Sequence, residues 1–257
     1  FWHRACSLVG DALKGTARGV EELESLSSFQ DRCFQSIFSH LSNRDSQLRG
    51  LVITAGTGTG KTLAFLGPLL LYATMEKSLR EKIGVKAICV YPRIKLAENQ
   101  IESFVGTIWE INKKLGPEEP MLTIGIDYTG TPYERQTFQN SPGPGGTLHE
   151  RNVDRLWKYD SENDAYECPY ARCPRCGDRL YLRRSSDYSV RVPLQCLNKG
   201  CGVETDFVLY CKEDIAAQPP DIFITTTESL SRRLSSSGFQ ALFGTESFCT
   251  PKLVVID

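Results

Sequence analysis

The sequence predicts an α/β fold: a parallel sheet with helices on both faces and a small cysteine-rich module inserted between two of its strands. Three observations carry this. Apolar β-rich runs alternate with segments of helical period, a glycine-rich loop joins the first run to a helix, and five of the ten cysteines fall between positions 168 and 201. Strands that are apolar on both faces need helices over each face, which is the parallel arrangement. Ligands of such sheets bind beyond the carboxyl ends of the strands.

Taken in order, residues 1–49 are mostly helical in pattern and show no internal repeat. Residues 51–54 (LVIT) read as the first strand and residues 60–75 as the helix after it. The apolar run 63–73 contains Gly67 and Pro68 and is about half the length of a bilayer crossing, so it reads as a buried helix and no membrane contact is expected. Strands follow at 87–91, 122–128, 221–225 and 253–256, with a helix over 96–114. The regularity breaks between 136 and 218, where NSPGPGG at 140–146 is a linker and the stretch behind it is polar and cysteine-rich. The expected division is a helical segment at 1–49, a sheet domain from 50–136 and 216–257, and an inserted module at 137–215.

The formal net charge is -1, so no overall basic field draws in nucleic acid and any polyanion must be held by local groups. The N-terminus lacks a signal-peptide pattern, which points to a cytoplasmic protein. With no initiator Met, and with Asp257 directly after an apolar strand, the chain is expected to be part of something longer. Cys6, Cys33, Cys89, Cys211 and Cys249 sit among apolar neighbours and read as small buried thiols. The crowded five favour metal over disulfide in a chain without a secretion signal. His3, His40 and His149 show no ligand spacing.

The residues with the most chemistry are Ala55-Gly56-Thr57-Gly58-Thr59-Gly60-Lys61-Thr62. Glycines let the backbone turn its N–H groups toward phosphate oxygens, Lys61 supplies a point charge for the β- and γ-phosphates, and the Thr62 hydroxyl is a ligand for Mg²⁺. The helix that follows adds the partial positive charge of its first turn. A phosphate loop needs an acidic partner at the end of a neighbouring strand, and Asp257 after residues 253–256 supplies it. As a bland alternative, Asp257 is a turn former or helix cap. The carboxylate that polarises the attacking water normally follows such an Asp, so the chain alone is expected to bind ATP and Mg²⁺ and to lack turnover.

Three further segments resemble motifs of superfamily 2 helicases. Tyr91-Pro92-Arg93-Ile94-Lys95-Leu96-Ala97-Glu98-Asn99-Gln100 is similar to motif Ia, Tyr128-Thr129-Gly130-Thr131-Pro132 to the Gly-containing turn after the third strand, and Asp221-Ile222-Phe223-Ile224-Thr225-Thr226-Thr227-Glu228-Ser229-Leu230 to motif Ib. With the phosphate loop as motif I and Asp257 as the first residue of motif II, their order matches a RecA-like first domain of DEAD/DEAH-box-like helicases. The resemblance runs from about Phe29 to Asp257, apart from the insert, and is closest to large bacterial DNA helicases of repair and phage defence. Arg93 replaces the common Thr and Thr227 the common Pro.

The resemblance implies several further expectations. Arg93, Gly130, Thr225 and Thr226 would face the sugar-phosphate backbone of a nucleic-acid strand, whereas on the bland reading these loop residues cap the next helix. Gln30, in Ser27-Ser28-Phe29-Gln30-Asp31, would read adenine through both edges of its amide, with Gln35 as its competitor or as a solvated helix residue. A second RecA-like domain would follow Asp257. DNA is favoured over RNA as partner, within a multi-subunit defence or repair complex.

In the insert, Cys173-Pro174-Arg175-Cys176-Gly177 and Cys196-Leu197-Asn198-Lys199-Gly200-Cys201-Gly202 are two cysteine knuckles with trailing glycines, separated by a β-patterned stretch at 180–192. Four thiolates in such pairs resemble a zinc ribbon, with an iron–sulfur cluster or free thiols as alternatives. Cys168 also completes a set of four with Cys173, Cys176 and one later Cys; the two knuckles favour Cys173, Cys176, Cys196 and Cys201. A closed four-thiolate site folds its module and leaves no position for water. Arg172, Arg175, Arg179, Arg183, Arg184, Arg191 and Lys199, interleaved with Tyr170, Tyr181 and Tyr188, suit nucleic-acid contact or a solvated surface. The leading reading is an ATP-dependent helicase or translocase. Two others stay open: a P-loop ATPase that remodels protein, and a non-hydrolysing nucleic-acid-binding zinc module on a helicase fold.

Overall fold

The computed structural model describes residues 2–16, 26–42, 50–54, 56, 60–79, 83–139, 148, 150–184, 186–244 and 248–257. Two helices, α1 (Trp2–Thr16) and α2 (Ser28–Ser42), precede α3 (Lys61–Leu79), β1 (Ala87–Tyr91), α4 (Ile94–Lys114) and β2 (Ile124–Asp127). After a 3₁₀ turn at Arg135–Thr137 come α5 (Arg151–Leu156), β3 (Lys158–Asp160), β4 (Ala165–Arg172), β5 (Arg179–Arg183), β6 (Leu194–Cys196) and β7 (Glu204–Thr205). The chain closes with β8 (Val208–Leu209), α6 (Lys212–Ala217), β9 (Ile222–Thr226), α7 (Thr227–Leu234), a 3₁₀ turn at Ser237–Phe243 and β10 (Leu253–Ile256).

Strands β10, β1, β9, β2 and β8 form one sheet in that order, and every pairing in it is parallel. Its middle strands read AICVY and IFITT, and every residue of both is buried, as a sheet covered on two faces requires. In α4 the stripe Ala97, Ile101, Phe104, Val105, Ile108 and Ile111 is buried, the spacing of one helical face. Helix α3 is buried nearly all round between 64 and 74, which is why it shows no polar face. Gly67 brings it close to α1 and α2, since a Cβ there would meet Leu13 Cδ1 at 3.3 Å and Phe34 at 3.7 Å. No helix among the described residues is long and apolar enough to cross a membrane.

Residues 51–54 do not form the strand that their apolar character predicts. Leu51 and Val52 are exposed, and β10, the outermost strand on one side, leaves Val254 and Ile256 exposed. An apolar strand is held by coverage on both faces, and these residues have none. The predicted linker at 140–146 lies outside the described residues.

A second sheet, antiparallel in the order β3-β4-β5-β6-β7, is built from the inserted stretch. Of the β-patterned residues 180–192, only those in β5 are strand. Residues 137–215 also return one strand, β8, to the parallel sheet beside β2. The two sheets share a single core: Phe138, Trp157, Tyr166 and Tyr210 pack ring to ring, and Trp157, Tyr170 and Leu182 belong to the same cluster as Ile124, Phe104 and Ile224.

Candidate functional site

Strand register brings the sequence-predicted positions to one end of the parallel sheet. Tyr91 lies opposite Thr226, Val90 opposite Ile256, and Asp127 opposite Thr225. The segments that follow these residues therefore emerge together: Arg93 after β1, residues 128–132 after β2, α7 after β9, and Asp257 after β10. Asp257 is exposed and its amide donates to the Val90 carbonyl at 3.1 Å. This is the carboxyl end, where open α/β sheets take ligands.

Of the phosphate loop, Gly56, Gly60, Lys61 and Thr62 are described; Ala55, Thr57, Gly58 and Thr59 lie outside the described residues. Gly60 has φ +75, the left-handed region that favours glycine. Its carbonyl accepts the first bond of α3, from the Ala64 amide at 3.3 Å, so Lys61 and Thr62 stand on the opening turn of a 19-residue helix. Their donors suit phosphate: an ammonium, a hydroxyl, and first-turn N–H groups with no intrahelical partner. The Thr62 hydroxyl accepts from Gln100 Nε2 at 2.9 Å, which ties the phosphate loop to α4.

Gln30 also reaches this loop. Its Oε1 accepts from the Ser27 amide at 2.9 Å while its own amide N–H donates to Ser27 Oγ at 3.3 Å, the reciprocal cap that a Ser-x-x-Gln sequence makes. From there Gln30 Nε2 donates to the Gly60 carbonyl at 3.3 Å. Gln35, its competitor, bonds Asp31 on the exposed face of α2.

The candidate strand-facing residues divide by exposure. Arg93 is exposed at the start of α4. Thr226 is the N-cap of α7, its hydroxyl accepting from the Ser229 amide at 3.3 Å. Thr225 is fully buried and donates to the Asp127 carbonyl at 3.1 Å. Gly130 is buried as well: a Cβ there would lie 2.1 Å from Leu156 Cδ1, and its carbonyl accepts from Trp157 Nε1 at 3.2 Å. Glycine at this position admits the close approach of α5, while Thr129 beside it is exposed. Asp127 is held by Arg233, with Nε to Oδ2 at 2.7 Å and Nη2 to Oδ1 at 3.3 Å.

In the second sheet the sulfurs of Cys173, Cys176, Cys196 and Cys201 lie within 4.8 Å of one another. Cys173 and Cys201 are 3.5 Å apart, as are Cys176 and Cys196. Tetrahedral bonds of about 2.3 Å to one metal ion require sulfurs roughly 3.8 Å apart, so the donor set fits. Gly177 and Gly202 take φ +82 and +61, and each turns the chain just after a knuckle. Burial raises the Cys173 thiol above its ordinary value. Cys168, the fifth cysteine, is outside this group and buried in the core, where burial pushes its thiol up to about 11. Three of the insert's arginines are committed to acids: Arg179 to Glu167, Arg184 to Asp164 and Arg172 to Glu102.

Gln100 and Arg233 carry roles that sequence reasoning did not assign. Gln100 ends the motif that begins at Tyr91, and its spacing was the available signal. Nothing in the sequence pairs Arg233 with Asp127 across 106 positions.

Part of the chain is similar to known proteins. Residues 27–137 match the DEAD/DEAH box helicase family. The mitochondrial ATP-dependent RNA helicase MSS116 of Kluyveromyces lactis is 35% identical over 115 residues, which is 45% of this chain. The matched stretch spans 16% of that relative's length.

Proposed function

We propose, on the premise that residues 27–137 are part of a helicase RecA-like domain, that the whole protein is an ATP-dependent nucleic-acid helicase or translocase. The observation that carries this reading is the convergence of the phosphate-loop helix, Gln100, Arg93, the turn at 128–132 and Asp257 on the carboxyl end of one sheet.

Lys61 and the amides of the first turn of α3 bind and orient the phosphates of ATP. Thr62 and Asp257 would hold Mg²⁺, which when bound would supply positive charge against the phosphates. Gln100 fixes the Thr62 hydroxyl from α4, the helix that starts at Arg93. A strand laid over Arg93 and Thr129 thus presses on an element bonded to the phosphate loop, with Thr226 buried beneath as the cap of α7. Gly130 and Thr225 support that surface from beneath. Gln30, which joins the loop to α2, is the residue proposed to read adenine. Hydrolysis would be completed by a second RecA-like domain. Zinc held by Cys173, Cys176, Cys196 and Cys201 folds the second sheet and stays out of the reaction. The domain division follows: a core of 50–136 and 216–257 fronted by 1–49, and an insert at 137–215 that lends β8 to the core.

The relative's name specifies RNA, whereas the sequence resemblance favoured DNA, and an exposed guanidinium and hydroxyl at Arg93 and Thr129 suit a backbone common to both. ATP hydrolysis by the full-length protein is expected to rise with single-stranded nucleic acid, and competition between RNA and DNA strands of one sequence assigns the substrate. Turnover that ignores both strands would instead favour an ATPase acting on protein.

A further inference from the structure

A cavity of about 570 Å³ opens on the β8 side of the parallel sheet, beyond the carboxyl ends of β2 and β8. Its size is that of small-ligand sites. It is walled by Tyr133 and Arg135 after β2, by Tyr188 of the insert, by Lys212 at the start of α6, and by Gly238 and Phe239. Lys212 lies outside the stretch that matches the helicase family.

Lys212 is only 8% exposed, yet among the described residues its ammonium has no hydrogen bond and no ion-pair partner, and its recorded contact is the Tyr133 ring at 5.6 Å from the centroid. The carboxylates around it are spent elsewhere. Asp127 is taken up by Arg233; Glu150 accepts from the Tyr133 amide at 2.8 Å and the Thr137 hydroxyl at 2.9 Å. Glu213 and Asp214 are paired with Arg135, and Glu134 stands exposed at the rim. Burial holds the ammonium below the ordinary lysine value, with Arg233 adding to that and Asp127 and Glu150 opposing it. The lysine stem is packed into the wall while no carboxylate among the described residues bonds the ammonium, so the cavity presents a cation that an anion can take up. The exposed ring of Tyr133 adds a preference for a planar group.

We infer that this cavity takes one nucleotide unit of a bound single strand, its phosphate against Lys212 and its base against the aromatic wall. The inference rests on the strand-binding reading above, and the same chemistry fits a free nucleoside monophosphate. The strand is the occupant proposed, because the cavity lies next to the turn at 128–132 and on the same end of the sheet as Arg93.

Two variants test it in the intact protein. Lys212→Met removes the charge. Gly238→Leu fills the cavity, since a Cβ at Gly238 meets nothing within 4 Å. Binding of a fluorescein-labelled single-stranded RNA is followed by anisotropy over a range of salt. Each variant is expected to weaken binding by about tenfold. Lys212→Met should also lower the slope of log affinity against log salt by roughly 0.7, the contribution of one phosphate contact on a single strand. Lys212→Arg should keep most of the affinity, and Lys212→Met should melt no lower than wild type, because a lysine retained for packing would melt lower when replaced. Unchanged affinity and slope in both variants would overturn the inference. If the wild type binds no strand, the helicase reading fails and uridine monophosphate becomes the deciding probe, titrated with Mg²⁺ and a non-hydrolysable ATP analogue filling the phosphate loop. Binding that both variants lose then keeps the cavity as a nucleotide site, and absence of binding removes it.

Discussion

The two ends of the parallel sheet are built on opposite terms. At the amino end, Asp221 is buried and saturated: Lys77 Nζ lies at 2.5 Å, Lys86 Nζ at 3.0 Å, the Thr123 amide at 2.8 Å and the Thr123 hydroxyl at 2.9 Å. At the carboxyl end, the hydroxyls of Tyr91 and Tyr128 and the Oε1 of Gln100 are buried with no partner among the described residues. Burial raises both tyrosine hydroxyls well above their ordinary value, and at Tyr91 the charges of Cys89 and Asp257 add to it. Buried polar groups are paired in the great majority of cases. One end spends its polar groups on stability, whereas the other, alongside its own buried Asp127–Arg233 pair, leaves these three atoms uncommitted. The insert sits at this end, and its anchor there is mostly apolar: Leu156, Tyr170 and Trp157 close over Gly130, with Trp157 Nε1 donating to the Gly130 carbonyl.

The comparison is sharpened most by removing what folds the insert. Cys176→Ser, or chelation of the metal proposed at the four cysteines, is expected to cost more than about 5 kcal/mol in the second sheet. Hydrogen exchange would show β3 to β7 losing protection while β1 and β9 keep theirs. Equal loss in both sheets would mean that their shared core makes them a single cooperative unit. Next is the saturated end. Asp221→Ala leaves Lys86 buried without its partner and is expected to cost about 3–5 kcal/mol in urea unfolding, with a value under about 1 kcal/mol contradicting the contrast. The smallest effect lies at the uncommitted end, where Tyr91→Phe removes an unpaired hydroxyl. Its stability should stay level or rise by about 1 kcal/mol, and a clear loss would reveal a partner for that hydroxyl.

These contrasts also mark what could be read from the sequence. The buried strands were legible because IFITT and AICVY leave no polar face, and α4 because its apolar residues keep one helical stripe. The cysteine knuckles were legible because two close pairs of thiolates, with two and four residues between their members and each pair followed by glycine, have few other uses. The strand expected at 51–54 was not formed, because apolar character alone supplies no neighbour beside β10. Two residues, Val208 and Leu209, are too short a run to show that the chain has rejoined the parallel sheet. Gly130 was read as a strand-facing position, whereas its close approach to Leu156 exists only once α5 is in place. Lys212 reads as a solvated lysine until the fold buries it.

Lys61→Ala in the full-length protein removes the ammonium from the ATP site proposed at the carboxyl end of the parallel sheet. Strand-stimulated ATP hydrolysis measured beside thermal unfolding is expected to fall by at least about 100-fold, with the melting temperature unchanged. Hydrolysis at the wild-type rate in that variant would contradict the account.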